Sequence, residues 1–251
     1  MMARPAILIT GAAKRIGAVL ARRFGMAGWH VVIHAGHSTS AANALAAELP
    51  SAEVVACNLI DGAVALDMVE DLAARLEDWR MLINCAAVFK PDSAAALNPA
   101  IFAEAIRVNA ETPTRMAQAF LADARALGGK RVIQFLDMKI ANPNPDFFSY
   151  TMAKHAFAST VKMLAMAQSD PEARVYGLAP GAMLPSHDQA QQEHELSGRM
   201  NLLQRLTDPS ELADAALFLA QGWLQSGETI FVDSGQHLLS QPRDVLYLAR
   251  E

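Results

Sequence analysis

Short apolar runs alternate with longer stretches of helical spacing along the whole chain. The runs at 6–9, 30–34, 53–57, 81–84, 131–136, 174–178 and 229–232 are rich in Val, Ile and Leu and are bounded by turn or polar residues. That is the pattern of buried strands. Between them, 16–27, 41–49, 63–76, 102–126, 150–168 and 209–220 carry helical spacing, as at Ile16, Leu20, Phe24 and Ala27. Strands alternating with helices predict βαβ units, and strands apolar on both sides belong to a parallel sheet covered on both faces. The expectation is one α/β domain over 1–251, a doubly wound, Rossmann-like parallel sheet of seven strands with helices on both faces. The stretch 181–201 shows no clear element; it is polar, with Pro185, His187 and His194. It follows the C-terminal end of a strand, where open α/β sheets keep their ligand crevice, and is read as a loop covering a substrate. That position puts Met183 beside the substrate.

Composition narrows the class. Of 251 residues, 52% are hydrophobic and 19% charged, which supplies a large core and excludes a disordered chain. A net charge of −5 gives no electrostatic reason to seek a phosphate backbone, so no nucleic-acid partner is expected. The two cysteines, Cys57 and Cys85, make neither a disulfide framework nor a zinc site, and no cluster has metal-ligand spacing. No signal peptide or membrane-length apolar run is present, and the expected setting is a reducing, cytoplasmic one.

The first strand runs into Thr10-Gly11-Ala12-Ala13-Lys14-Arg15-Ile16-Gly17. Small residues at a first β–α turn let the backbone approach a pyrophosphate at a helix N-terminus, where the dipole favours negative charge. Two cations at that helix end are unfavourable unless an anion is near, so Lys14 and Arg15 are read as facing phosphate. After the second strand, no Asp or Glu occurs from Val31 to Leu45. An acid there would hold the ribose 2′-hydroxyl of NAD; its absence, with His37 and Ser38 able to donate to a 2′-phosphate, predicts NADPH.

Tyr150-Thr151-Met152-Ala153-Lys154 places a phenol and an ammonium at i and i+4, on one helix face. The lysine's charge is expected to lower the phenol pKa from about 10 toward working pH, so that Tyr150 exchanges a proton with substrate.

Together these segments resemble the short-chain dehydrogenase/reductase family, over essentially the whole chain. The glycine turn is similar to the family's T-G-x-x-x-G-x-G, with Arg15 in place of the middle glycine; Tyr150 to Lys154 matches its Y-x-x-x-K. The resemblance implies further roles. Asn58-Leu59 would meet the adenine, and Asn84-Cys85-Ala86-Ala87, similar to N-N-A-G, would place Asn84 and Ala86 at the cofactor. Asn109 would help hold a proton-supplying water chain behind Lys154, and Pro180-Gly181 would flank the nicotinamide. A homotetramer through the helices 102–126 and 150–168 is implied, with the tail from Leu238 to Glu251 closing a neighbouring subunit's site.

One departure is informative. Where the family usually has Ser, this chain has Asp137. A hydroxyl donates to a ketone oxygen; an ionised carboxylate repels the oxyanion as it forms. A heterocycle with ring N–H groups, reduced at C=N, fits better, with Asp137 orienting that edge or sharing a proton with Tyr150. Asp137, the T-G-A-A-K-R-I-G turn and Y-T-M-A-K resemble the pteridine reductase and dihydromonapterin reductase subgroup, in which an aromatic residue at the position of Phe89 stacks on the pterin. The reading is NADPH-dependent reduction of a dihydropteridine. A carbonyl or 3-oxoacyl thioester reductase and a non-catalytic NADPH-binding regulator stand as alternatives.

Overall fold

The computed structural model of the chain describes residues 4–186 and 188–251; residues 1–3 and His187 lie outside the described residues. Seven strands, β1 (Ala6–Ile9), β2 (His30–Ala35), β3 (Ala52–Ala56), β4 (Trp79–Asn84), β5 (Arg131–Phe135), β6 (Arg174–Pro180) and β7 (Thr229–Val232), form one sheet in the order β3-β2-β1-β4-β5-β6-β7. Every pairing is parallel. Chain direction across the sheet reverses between β1 and β4. At that switch the loops leaving the two strands diverge and leave a crevice at their C-terminal ends.

The period of two along each strand divides its side chains between two cores. Leu8 of β1 and Leu82 of β4 face one, with Val69, Phe120 and Phe157; Ile7, Ile9, Met81 and Ile83 face the other, with Leu20, Phe24 and Leu212. The first core is covered by α3 (Gly62–Arg75), α5 (Thr112–Asp123) and α6 (Phe148–Ala167). The second is covered by α1 (Arg15–Met26), α2 (Thr39–Glu48) and α8 (Pro209–Ala220). Both faces are therefore dry, which is why the strands read as unbroken apolar runs. Trp79 is fully buried at the start of β4, its indole N–H donating to the Met81 carbonyl at 2.9 Å.

Two expectations need correction. The helix expected over 102–126 is α4 (Pro99–Ile106) joined to α5 through a π-helical turn, Arg107–Glu111. Hydrophobic spacing reads through such a turn because it widens the helix by one residue without ending it. The stretch 181–201 is also not elementless: α7 (Gln191–Ser197) lies inside it, with Glu193 reaching back to the Ala190 N–H at 3.1 Å. A last short helix, α9 (Val245–Leu248), begins at Asp244, whose side chain accepts from the Leu246 N–H. No helix among the described residues is long and apolar enough to cross a membrane.

Candidate active site

The crevice at the switch point is a cleft of about 410 Å³. Its floor on one side is the turn from β1 to α1. Gly11 has a left-handed φ of +67°, and a Cβ there would stand 2.9 Å from the Ala86 Cα, so the turn admits no side chain. Its amide is turned inward, donating to His34 Nδ1 at 3.1 Å, so Gly11 shapes the cleft without offering it a donor. Gly17 allows the same close packing, since its Cβ would meet the Gly11 carbonyl at 2.4 Å. Lys14, Arg15 and Ile16 complete this side. Arg15 also takes a left-handed φ of 54°, a conformation that costs a side-chain-bearing residue about 1 kcal/mol. Helix α1 has no side-chain cap and no acid in its first turn.

The other side is built on β5, α6 and the loop after β6. Asp137 follows β5 and caps a short turn, its Oδ1 accepting from the Lys139 N–H at 2.9 Å. Helix α6 begins beside it. Phe147, at a left-handed φ of 50°, turns the chain, and Asp92 in the loop after β4 accepts from the Ser149 N–H at 3.0 Å. Tyr150 therefore lies in the first turn of α6, with its hydroxyl donating to Asp137 Oδ2 at 2.8 Å. Lys154, one turn on, is buried and donates to the Phe135 carbonyl at 2.5 Å; its ammonium stands 5.6 Å from the Tyr150 ring centre. Pro180, Gly181 and Met183 close the cleft from β6, and Phe89 and Ala86 from β4.

The electrostatics differ from the expectation for Tyr150. Burial first, and then the Asp137 carboxylate, hold the phenol well above its ordinary pKa. Proximity of Lys154 does not reverse this: burial lowers Lys154 itself to about 8. Burial likewise raises Asp137, opposed by Lys139, its N–H, the Tyr150 hydroxyl and Lys154. The result is a phenol kept protonated and hydrogen-bonded to a carboxyl of raised proton affinity.

The remaining expected residues are placed in three ways. Asn109 sits in the π-helical turn, with both ends of its amide on Val88: Oδ1 accepts from the N–H at 2.8 Å and Nδ2 donates to the carbonyl at 2.9 Å. It fixes the segment carrying Phe89 and makes no direct hydrogen bond to Tyr150 or Lys154. Asn84 is a second correction. Its side chain is buried below the cleft, donating to Pro113 and Gln134, because β4 points it into the sheet rather than out of its end. His37, Ser38, Asn58 and Leu59 lie at the ends of β2 and β3, beyond the cleft's own lining. Ser38 precedes α2 without capping it, and α2 has no acid in its first turn. Asn58 accepts from the Ile60 N–H, and Leu59 is buried.

These features fit NADPH. Two helix N-termini free of capping side chains and acids stand where phosphate would lie, one beside Arg15 and one beside His37 and Ser38. The glycine turn leaves room that a Cβ would fill.

Several site residues had no signal in the sequence. Phe147 stacks on Phe89 with ring centres 3.9 Å apart, and Tyr247 stacks on Phe147 at 5.8 Å. Lys139 is buried, with its ammonium 2.5 Å from Asp244 and 5.4 Å from the Phe147 ring centre. Asp244, Val245 and Leu246 line a second, smaller cavity of about 110 Å³, which shares Phe89 and Asp137 with the cleft. The tail thus packs on its own chain's site. Paired Phe147 and Phe148 before the helix were the one visible hint.

A family model described as enoyl-(acyl carrier protein) reductase matches residues 11–237. Pteridine reductase 1 of Leishmania tarentolae is 26% identical over 279 residues, covering 93% of this chain and 96% of that protein. The 7alpha-hydroxysteroid dehydrogenase of Escherichia coli (strain K12) is 29% identical over 238 residues, covering 91% and 92%. The crystal structure of FolM alternative dihydrofolate reductase 1 from Brucella suis, in complex with NADP, matches with a TM-score of 0.87 at 29% identity, covering 96% of this chain and 98% of that one.

Proposed function

Since the chain belongs to the short-chain dehydrogenase/reductase family of NADP-dependent oxidoreductases, we propose that it reduces a dihydropteridine to the tetrahydro form. The observation that carries this reading is the 2.8 Å hydrogen bond from Tyr150 to Asp137 inside the cleft. A carboxylate there, accepting from Tyr150, disfavours a developing oxyanion and suits the N–H edge of a heterocycle. NADPH, when bound, supplies hydride. Arg15, the first turn of α1, Lys154, Pro180 and Gly181 would hold it, with His37 and Ser38 toward the 2′-phosphate and Asn58 toward the adenine.

The protein's part is the proton. Tyr150 keeps its phenol protonated and gives that proton to the ring nitrogen as the neighbouring carbon is reduced. Asp137 orients the heterocycle and relays a solvent proton to the Tyr150 oxygen, restoring the phenol for the next turnover. Lys154 balances the negative charge left on the Tyr150–Asp137 pair. Phe89, backed by Phe147, is the aromatic wall for a flat ring, a contact that contributes about 1 kcal/mol beyond its burial. Met183 covers the ring from the loop after β6. The family's homotetramer belongs to the same proposal, and sedimentation at assay concentration tests it.

The deciding assay mixes protein, NADPH and dihydrobiopterin or dihydromonapterin, and follows loss of reduced-cofactor absorbance. Turnover that falls by a factor of about 10² or more in Tyr150→Phe, with NADPH affinity unchanged, is the expected result. NADPH binding without pteridine turnover, together with reduction of a ketone panel, overturns the pteridine reading in favour of carbonyl reduction.

A further inference from the structure

Near the C-terminal end of strand β2, after the apolar run Val31-Val32-Ile33, His34 is 1% exposed. Both ring nitrogens meet backbone. The Gly11 N–H donates to Nδ1 at 3.1 Å, and Nε2 lies 3.1 Å from the Cys57 carbonyl. An amide N–H can only donate and a carbonyl can only accept, so the two contacts fix one state: neutral imidazole with its proton on Nε2. The His34 carbonyl adds a third tie, accepting from the Ala12 N–H at 3.0 Å.

The three ties join two walls of the cofactor site. Gly11 and Ala12 are the turn that approaches the pyrophosphate. Cys57 immediately precedes Asn58, at the adenine end. Gly11 cannot be fixed by its own side chain, and its left-handed φ leaves its amide pointing away from the cleft.

We propose that His34 is a positioning residue for NADPH, bridging the pyrophosphate turn to the adenine wall and setting the distance between them. This rests on the cofactor and not on the pteridine. Protonation would undo the bridge by placing a second N–H on Nδ1, donor against donor with Gly11. Burial guards against that, lowering the His34 pKa to about 4 against the opposing bond to Cys57. The groups facing the ring are few. Gly11 and Ala12 bring no titratable side chain from the turn. From the β3 side the Cys57 thiol lies 3.4 Å from Nε2, and Asp61 beyond it acts on Cys57.

The test is fluorescence titration of NADPH onto wild type and His34→Leu, His34→Asn and His34→Gln, with a melting curve for each. His34→Leu removes both ties and is expected to weaken NADPH about tenfold or more, the loss of one well-placed interaction. His34→Asn returns an acceptor at the Nδ1 position and recovers most of that affinity. His34→Gln, whose terminal group falls at the Nε2 position, does not. Affinity within twofold of wild type in His34→Leu overturns the proposal. So does a loss that is equal in Asn and Gln and merely follows the melting temperature. Where His34→Leu does not fold, acid titration decides. Wild-type NADPH affinity should fall more steeply than that of His34→Asn between pH 6 and about 4, the 2′-phosphate titration being common to both; parallel curves overturn the bridge. NADPH binding is read without any pteridine, so failure of the pteridine reading leaves this test intact, and the reverse.

Discussion

At the scale of single residues, the site turns on which groups hold protons. Burial holds the Tyr150 phenol protonated and raises the proton affinity of Asp137, which accepts its hydrogen bond, so Tyr150 is the member of the pair placed to give a proton. Asp137→Ser tests the division of labour. It replaces a carboxyl suited to ring N–H groups with a hydroxyl suited to a carbonyl. Pteridine kcat/KM should fall by a factor of about 10² or more while NADPH affinity stays within twofold. Improved ketone reduction without loss of pteridine turnover would count against the assigned role. Lys154 gives the pH dependence. Its folded pKa of about 8 lies below the ordinary value of 10.5, so the charged form predominates below pH 8 and is lost as pH rises through it. The pteridine kcat/KM, read at saturating NADPH, should therefore be level below pH 8 and fall above it. In the same interval, from about 8 to 10.5, the unfolded chain binds more protons than the folded one, so Lys154 makes the fold more stable with rising pH while activity declines. Opposite trends in melting temperature and activity above pH 8 are the signature; parallel decline would place the activity loss elsewhere.

At the scale of elements, the strands and most helices were legible because each has one dominant period. β1 and β4 are apolar on both faces, and the structure buries both faces. What the pattern could not display was local backbone departure. The π-helical turn at Arg107–Glu111 keeps apolar spacing while aiming Asn109 at Val88, and α7 is too short and polar to produce a periodic signal. Motif residues on element ends were found, whereas Lys139 and Phe147 were not, because their roles depend on a tail a hundred residues or more away in sequence. Arg15 was legible as a cation, but its left-handed backbone was not. That conformation yields a prediction for the turn as a unit. Arg15→Gly relieves a conformational cost of about 1 kcal/mol, offset by a similar gain in unfolded-chain entropy. Stability should thus hold to within about 1 kcal/mol by chemical denaturation. NADPH affinity should drop about tenfold, since a charge-assisted hydrogen bond to phosphate contributes about 1.5 kcal/mol or more. A large loss of stability with NADPH affinity intact would make Arg15 a structural residue of the turn.

At the scale of the molecule, the cleft divides the chain into two working halves. β1, β2 and β3 carry the residues assigned to pyrophosphate, 2′-phosphate and adenine; β4, β5, β6 and the tail carry the substrate wall, with Lys154, Pro180 and Gly181 at the nicotinamide end of the cofactor. The tail is tied to that wall and to the loop over it. Asp244 meets Lys139, Arg243 donates to Asp146 at 2.7 Å, and Arg250 reaches Glu193 in the first turn of α7 at 3.2 Å. The exposed Arg250 pair is weak, but Lys139 and Asp244 are both buried, and removing one partner of such a pair strands the other charge. Asp244→Ala should therefore cost about 3 kcal/mol of stability. Because Lys139 also stands against Phe147, which backs Phe89, the same change should raise the pteridine KM. NADPH affinity should not move, since Asp244 lines the smaller cavity and not the cofactor cleft. The double substitution Lys139→Met with Asp244→Leu separates charge from shape: replacing both partners by apolar groups is often neutral for folding. It should recover the stability lost in Asp244→Ala. If the pair also acts by fixing the aromatic wall, the pteridine KM should stay raised in the double variant. A KM that returns with stability would reduce the pair to a structural brace, and a shift in NADPH affinity as large as that in KM would show that the two halves are not separable.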